Sequence, residues 1–263
     1  MGEIIKIPAD ASAIVSTSSK GDQSKWRIGN KWIKQNARGY ENIAEYAATL
    51  LLKSTTLHHS QFVSYTPCRI EEANGNMSEG CYSLDFRGVK QEVTLERLFE
   101  ANYSTTDPIL NDIRYSTEDK FKMMIEQIQD FTHLDLSVEI GRMLAFDAFI
   151  LNEDRHTNNI LFLYEPSTQQ WELAPIFDNG LSLLSDLKDY PLGKPLTILK
   201  RLVRAKPFAS SFTKQLALYK GEPFINKAVL LANLENAEYE LGRAKDVILS
   251  QLNDREYQHL FIE

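Results

Sequence analysis

Residues 151–180 read LNEDRHTNNILFLYEPSTQQWELAPIFDNG, and this stretch constrains the chain more than any other. Asp154 sits in a loop after a helical segment, with Asn159 five residues on. A strand (NILFLYE), a turn (PSTQQ) and a second strand (WELAPIF) follow, and the second strand runs into another acid, Asp178. A hairpin between two acids brings residues distant in the chain to one edge. That inventory suits phosphoryl transfer. One carboxylate orients and deprotonates an attacking hydroxyl, while an amide oxygen and a second carboxylate hold Mg²⁺ against nucleotide phosphates. The same residue types also have plainer uses. Asp, His and Asn cap turns, and Asp-x-His with a distant acid also suits a hydrolytic metal site.

The flanking sequence predicts an α+β protein. KWRIGNKWIKQ forms two short strands around Gly29-Asn30, and QFVSYTPCRI and GCYSLDFRG are the arms of a hairpin at Asn74-Gly75. Between them Tyr40 to Lys53 has apolar residues at Ile43, Ala47, Leu50 and Leu51, the spacing of an amphipathic helix. From about residue 92 the pattern turns helical, over 93–101, 117–132, 137–151 and a long stretch from Phe224 to Leu252. Strands first and helices after, with one embedded hairpin, predict two lobes: residues 1–88 strand-rich and residues 89–263 helical.

The motif Asp154-Arg155-His156, then Asn159, then Ile176-Phe177-Asp178, resembles the catalytic and metal-binding motifs of HipA-type bacterial serine/threonine kinases, and FDAFILNEDRH is similar to that family's helix-to-loop entry. Kinase catalytic loops likewise place Asn five residues after the Asp. Phosphoinositide lipid kinases share a similar DRHxxNI motif, so the segment points to a superfamily rather than to an acceptor. The resemblance implies a bilobal protein-kinase-like fold with ATP and Mg²⁺ as cofactors. Asp154 would be the general base, Asn159 and Asp178 the metal ligands, and His156 a support for the catalytic loop.

The N-terminal part supplies candidates for binding the nucleotide. SSKGDQSKWRIGNKWIK is similar to the Gly-x-Gln-x-Lys phosphate loop of the HipA type, with Gly21, Gln23 and Lys25 in register, and no Walker A pattern is present. Lys34 ends the KWIK strand as the lysine of VAIK does in kinases, where it binds phosphates and pairs with a helix glutamate. The helix offers Glu41 and Glu45, and Glu45 lies deeper in the apolar pattern. Asp85, Phe86 and Arg87 end the N-terminal sheet where a kinase fold has its adenine-binding hinge. By position Ser18, with Ser16 and Ser19 beside it, looks like the serine that HipA-type kinases autophosphorylate in this loop. A dianionic group there would compete with nucleotide for the same donors.

Composition narrows the partners. A net charge of −7 lacks the basic footprint of a nucleic-acid binder. Lys200, Arg201, Arg204 and Lys206 form one local basic cluster, and a solvated helix face is the plain reading of it. MGEIIKIPADAS has no basic segment followed by an apolar run, Lys6 breaks a myristoylation motif, and no apolar stretch approaches the ~20 residues of a membrane span. With two cysteines only, the expectation is a cytoplasmic protein. Symmetric pairing about Asn74-Gly75 would set Cys68 opposite Cys81. A longer loop would shift the register and leave two free thiols, which is the expectation here.

The resemblance further implies a compact, core-only member with a toxin-like role. Its substrate would be a protein such as an aminoacyl-tRNA synthetase, and its partner a separate DNA-binding antitoxin. Rival readings are a lipid or small-molecule kinase using the same core, and a pseudokinase or binding module that keeps the fold without catalysis.

Overall fold

The computed structural model describes residues 2–11, 14–18, 21–100 and 105–262, with 14–18, 21 and 22 described by their backbone. Contacts divide the chain into two compact units, Met1–Phe86 with Phe177–Leu202 and Pro223–Glu263, and Arg87–Ile176 with Val203–Glu222. The unit built on the N-terminal sheet thus also takes in C-terminal segments that a single cut at residue 88 separates from it.

The first unit holds strands β1 (Ile4–Lys6), β2 (Ile14–Ser18), β3 (Gly21–Ile28), β4 (Lys31–Gln35), β5 (Thr66–Glu71) and β6 (Met77–Leu84) in one sheet of order β1-β5-β6-β4-β3-β2. Only β1 pairs in parallel, with β5. A two-residue loop joins β3 to β4, with Gly29 at φ +60° where a side chain would be strained. This loop fixes the register: Trp26 lies opposite Ile33 and Lys25 opposite Lys34. Period-two alternation then sorts the faces. Trp26 and Ile33 join Ile5, Ile7, Cys68 and Ile70 in an apolar core, which leaves Lys25 and Lys34 on the other face.

The β5–β6 hairpin pairs Cys68 with Gly80 and Pro67 with Cys81, because its loop spans residues 72–76 rather than two residues. The one-residue offset sends the thiols to opposite faces. Cys68 packs in the Ile33 core and Cys81 against Val63 and Tyr65, and both are free and buried. Burial pushes the Cys68 thiol up to about 12. Gly80 is required for close approach: a Cβ there would run into the Lys34 carbonyl oxygen and come within 2.6 Å of Ile70.

Helix α1 (Glu41–Leu52) packs on β5 and β6 and is buried on nearly every side, with only Ile43 half-buried. Its buried polar residues are partnered. Glu41 accepts from the backbone N–H groups of Ala37, Arg38 and Gly39 at 3.0, 2.6 and 2.9 Å, which orders the approach to the helix. This unit also contains α6 (Leu196–Leu199), α8 (Lys227–Glu235), α9 (Arg243–Leu252) and the short paired strands β10 (Ile225–Asn226) and β11 (Phe261–Ile262). The single helical stretch expected over 224–252 is therefore two helices. α8 stops at Asn236, and Gly242 at φ +48° precedes α9.

The second unit holds β7 (Gln91–Thr94), α2 (Leu95–Glu100), α3 (Asp107–Leu110), α4 (Thr117–Thr132), α5 (Ser137–Ile150), β8 (Leu161–Glu165), β9 (Gln170–Leu173) and α7 (Phe212–Leu216). Its strands form an antiparallel sheet of order β7-β8-β9. Ser116 and Asp119 close a capping box at the start of α4, as their three-residue spacing favours. α5 is buried from Ile140 on apart from Arg142, and ends on Leu151 in the left-handed region at φ 55°. Among the described residues no helix is long and apolar enough to cross a membrane.

Candidate active site

In the first unit four charged side chains meet on the α1-facing side of the sheet. Lys34 Nζ donates to Glu45 Oε1 at 2.7 Å and to Asp178 Oδ1 at 2.8 Å, and Lys25 Nζ donates to Asp178 Oδ2 at 3.2 Å. The second oxygen of Glu45 accepts the Asn179 N–H at 2.9 Å, so α1 holds the chain beside Asp178. The Asp178 N–H donates to the Tyr65 hydroxyl at 3.3 Å, and the Tyr65 ring lies 4.6 Å beneath the Lys34 ammonium. Asp178 sits at φ 57°, a left-handed conformation that Asp tolerates better than most residues. Such strain persists only where surrounding contacts over-determine it, as three partners do here.

The electrostatics follow from burial and pairing. Burial works against the Lys34 ammonium, but the Asp178 and Glu45 carboxylates outweigh it and hold its pKa well above the usual value. Burial likewise works against an ionised Asp178, and Lys25 and Lys34 together outweigh it, holding the carboxyl far below the usual range. Two cations and two anions thus form a neutral cluster. Asp178 keeps 23% of its side-chain surface exposed while Glu45 keeps 1%. The exposed carboxylate is the one a ligand can reach.

The second unit carries the loop of Asp154. Asp147, from the last turn of α5, takes a two-pronged ion pair from Arg155, with Nε to Oδ2 at 2.8 Å and Nη2 to Oδ1 at 3.1 Å, both side chains wholly buried. Asn152 Nδ2 adds a third donor at 2.8 Å. Arg155 Nη1 also reaches the Asn159 carbonyl at 3.1 Å, which fastens both ends of the loop to one guanidinium. The Asp154 carbonyl accepts the His156 N–H and Asn159 Nδ2, each at 2.8 Å. That bond orients the Asn159 amide by its NH₂, and the amide oxygen is the acceptor at its other end. Thr157 Oγ1 donates to Glu96 of α2 at 2.7 Å, and Lys206 Nζ lies 3.4 Å from Asp154 Oδ1.

Of the residues singled out in the sequence, Lys25, Lys34, Glu45 and Asp178 come together in one unit, and Asp154, His156 and Asn159 in the other. His156 Nε2 lies 4.0 Å from Asp154 Oδ2. Gly21, Gln23 and Lys25 lie in strand β3, hydrogen-bonded to β2 on one side with Gly21 opposite Ser18, so this segment is a strand rather than the loop expected. The Ser16 and Ser18 side chains and all of Ser19 lie outside the described residues. Asp85 pairs with Arg27 at 2.9 Å and Phe86 meets Phe177 at 5.7 Å between ring centroids, while Arg87 pairs with Glu92. The two units divide between Phe86 and Arg87.

Sequence reading missed Asp147 and Glu96, and named Arg155 only as a motif position and Lys206 only as part of a basic cluster. A signal for the first was present, as an acid amid LAFDAFI has to find a buried partner. Nothing in the sequence ties Lys206 to an acid 52 positions earlier.

No family model matches the sequence, and no curated protein matches it. Among solved structures, the proinflammatory kinase CtkA of Helicobacter pylori matches with a TM-score of 0.61 at 14% identity, over 97% of this chain and 95% of that one. The chain has a protein-kinase-like fold. HipA of Shewanella oneidensis, solved with HipB and operator DNA, matches at a TM-score of 0.46 and 14% identity, over 94% of this chain and 61% of that one. A choline/ethanolamine kinase family protein of Mesorhizobium loti matches at 0.30 and 11%, over 96% and 91%. The fold assignment rests on the first of these.

Proposed function

We propose that the chain is an ATP- and magnesium-dependent phosphotransferase acting on a serine or threonine hydroxyl of a protein. The carrying observation is Asp178, a part-exposed carboxylate held by the lysine that pairs with the α1 glutamate. The donor set fits the cofactor. Mg²⁺ takes hard oxygen ligands, which the Asp178 carboxylate and the Asn159 amide oxygen are.

In this reading Asp178 and Asn159 would hold Mg²⁺, which would supply charge neutralisation at the phosphates. Lys34 and Lys25 bind phosphate oxygens, assisted by the strand at Gly21 and Gln23, and Glu45 orients Lys34. Backbone groups of Asp85–Arg87 receive the adenine. Asp154 accepts the proton of the attacking hydroxyl while its oxygen bonds to the γ-phosphorus and ADP leaves. His156 supports the loop from beside Asp154. Autophosphorylation at Ser18, a toxin-like role, an antitoxin partner and an aminoacyl-tRNA synthetase target are further parts of the proposal, resting on the sequence resemblance.

A protein acceptor is favoured over a lipid by what the basic cluster does. Lys200 is engaged by Asp254 at 3.9 Å and Ser250 at 3.2 Å, and Lys206 by Asp154 at 3.4 Å, so these charges are paired with other parts of the chain.

A thermal-shift titration with ATP and Mg²⁺ tests the nucleotide site. Ligand at 100 times its dissociation constant stabilises by about 2.7 kcal/mol. The expected result is a magnesium-dependent rise in Tm for wild type that Asp178→Ala loses. An equal rise in both proteins would remove Asp178 from the site.

A further inference from the structure

Asp154 has a rigid backbone and a buried side chain. Its N–H donates to Asn152 Oδ1 at 3.0 Å, its carbonyl is held by His156 and Asn159, and its side chain is 7% exposed. Within the loop His156 Nε2 lies 4.0 Å from Oδ2. Lys206 reaches the other oxygen, Oδ1, from a distant part of the same unit, at 3.4 Å.

The turn that carries Lys206 is built to hold it there. Gln215 of α7 is wholly buried and spends both ends of its amide on this turn: Nε2 donates to the Lys206 carbonyl at 2.7 Å, and Oε1 accepts the Phe208 N–H at 3.0 Å. The Ala205 N–H closes the turn on the Ser210 carbonyl at 3.1 Å, and Phe208 packs edge-on against Phe121 of α4. A lysine side chain is flexible, so its reach is useful only if its backbone is fixed, and here it is. A half-exposed ion pair of this kind adds little to folding stability. Its consequence is orientational.

We infer that Lys206 is the positioning residue for Asp154: it pins one carboxylate oxygen, so that the base is oriented before the acceptor hydroxyl arrives. The inference rests on Asp154 being the base of the proposed phosphotransferase. Misorienting a reacting group by about 1 Å costs on the order of 10²-fold in rate, and that sets the scale of the effect.

The test uses the full chain with ATP and Mg²⁺, water as acceptor, and ADP release as the signal, comparing wild type, Lys206→Met, Lys206→Arg and the exposed control Lys214→Met. Lys206→Met is expected to lose about 10- to 100-fold in kcat, with KM for ATP changed less than about twofold. Lys206→Arg keeps part of the rate, and Lys214→Met all of it. Without any ligand, Lys206→Met shifts the backbone amide resonances of Asp154 and His156 and leaves Tm and the rest of the spectrum in place. Wild-type kcat in Lys206→Met overturns the inference and leaves the phosphotransferase reading standing. A loss accompanied by spectrum-wide change and a lower Tm overturns it as well, since the role would then be structural. Wild type that neither releases ADP nor transfers the γ-phosphoryl group to itself or to a serine-rich protein acceptor rejects the phosphotransferase reading itself, and the inference with it.

Discussion

Lys25 and Lys34 stand directly opposite each other across the β3–β4 ladder, and Asp178 bridges them with one oxygen to each. Like charges placed opposite across a ladder destabilise a sheet. The carboxylate reverses that, so the pair is stable only in company with an anion. Phosphate oxygens are an alternative anion for both lysines, and a divalent cation is an alternative partner for Asp178. Lys25→Met is therefore expected to act in opposite directions on the two ligands. It strengthens Mg²⁺ binding in the absence of nucleotide and weakens ATP binding, each measured by calorimetry. Weakening of both would mean that Lys25 does not compete for Asp178.

The charge cluster also sets a pH window. Asp178 has its pKa depressed by the two lysines. Its contribution to stability is full above the ordinary Asp value of about 3.9 and is lost as pH falls through that value toward the folded one. Lys34 has its pKa raised, so its contribution is full below the ordinary Lys value of about 10.4 and is lost as pH climbs through the folded value. Denaturant unfolding of wild type and Asp178→Asn is expected to show a constant stability difference between about pH 5 and 8 that shrinks below about pH 4. A difference that persists undiminished at about pH 2 would contradict the pairing.

Asp147 and Arg155 carry the shape of the Asp154 loop. Both are wholly buried, and removing one partner of such a pair typically costs about 3–5 kcal/mol. Asp147→Ala should therefore lose about that much in urea unfolding, and the double variant Asp147→Leu/Arg155→Met should regain a good part of it. A single-variant loss below about 1 kcal/mol would show that the loop is held by other contacts.

The hairpins and the main helices were legible in the sequence because their signals are local. Gly29-Asn30 fixes a two-residue turn, and that turn alone sets Lys25 opposite Lys34. At Asn74-Gly75 the loop runs from 72 to 76 and offsets Cys68 from Cys81, which leaves two free thiols as the longer-loop reading expected. α4 appears over the expected 117–132, and its capping box explains why. What stayed hidden was non-local. The apolar run of α5 signals that Asp147 needs a buried partner but not that the partner is the guanidinium eight residues on, nor did the basic run at 200–206 reveal that its last member turns back to Asp154. The C-terminal periodicity was helical throughout, yet Asn236 and Gly242 bracket a break in it.

The central claim is tested most directly by following the γ-phosphoryl group of labelled ATP with wild type, Asp154→Asn and Asp178→Ala, each confirmed folded. The account predicts magnesium-dependent transfer or release by wild type and a loss of at least about 10²-fold in both variants. Turnover at the wild-type rate in both variants would contradict it.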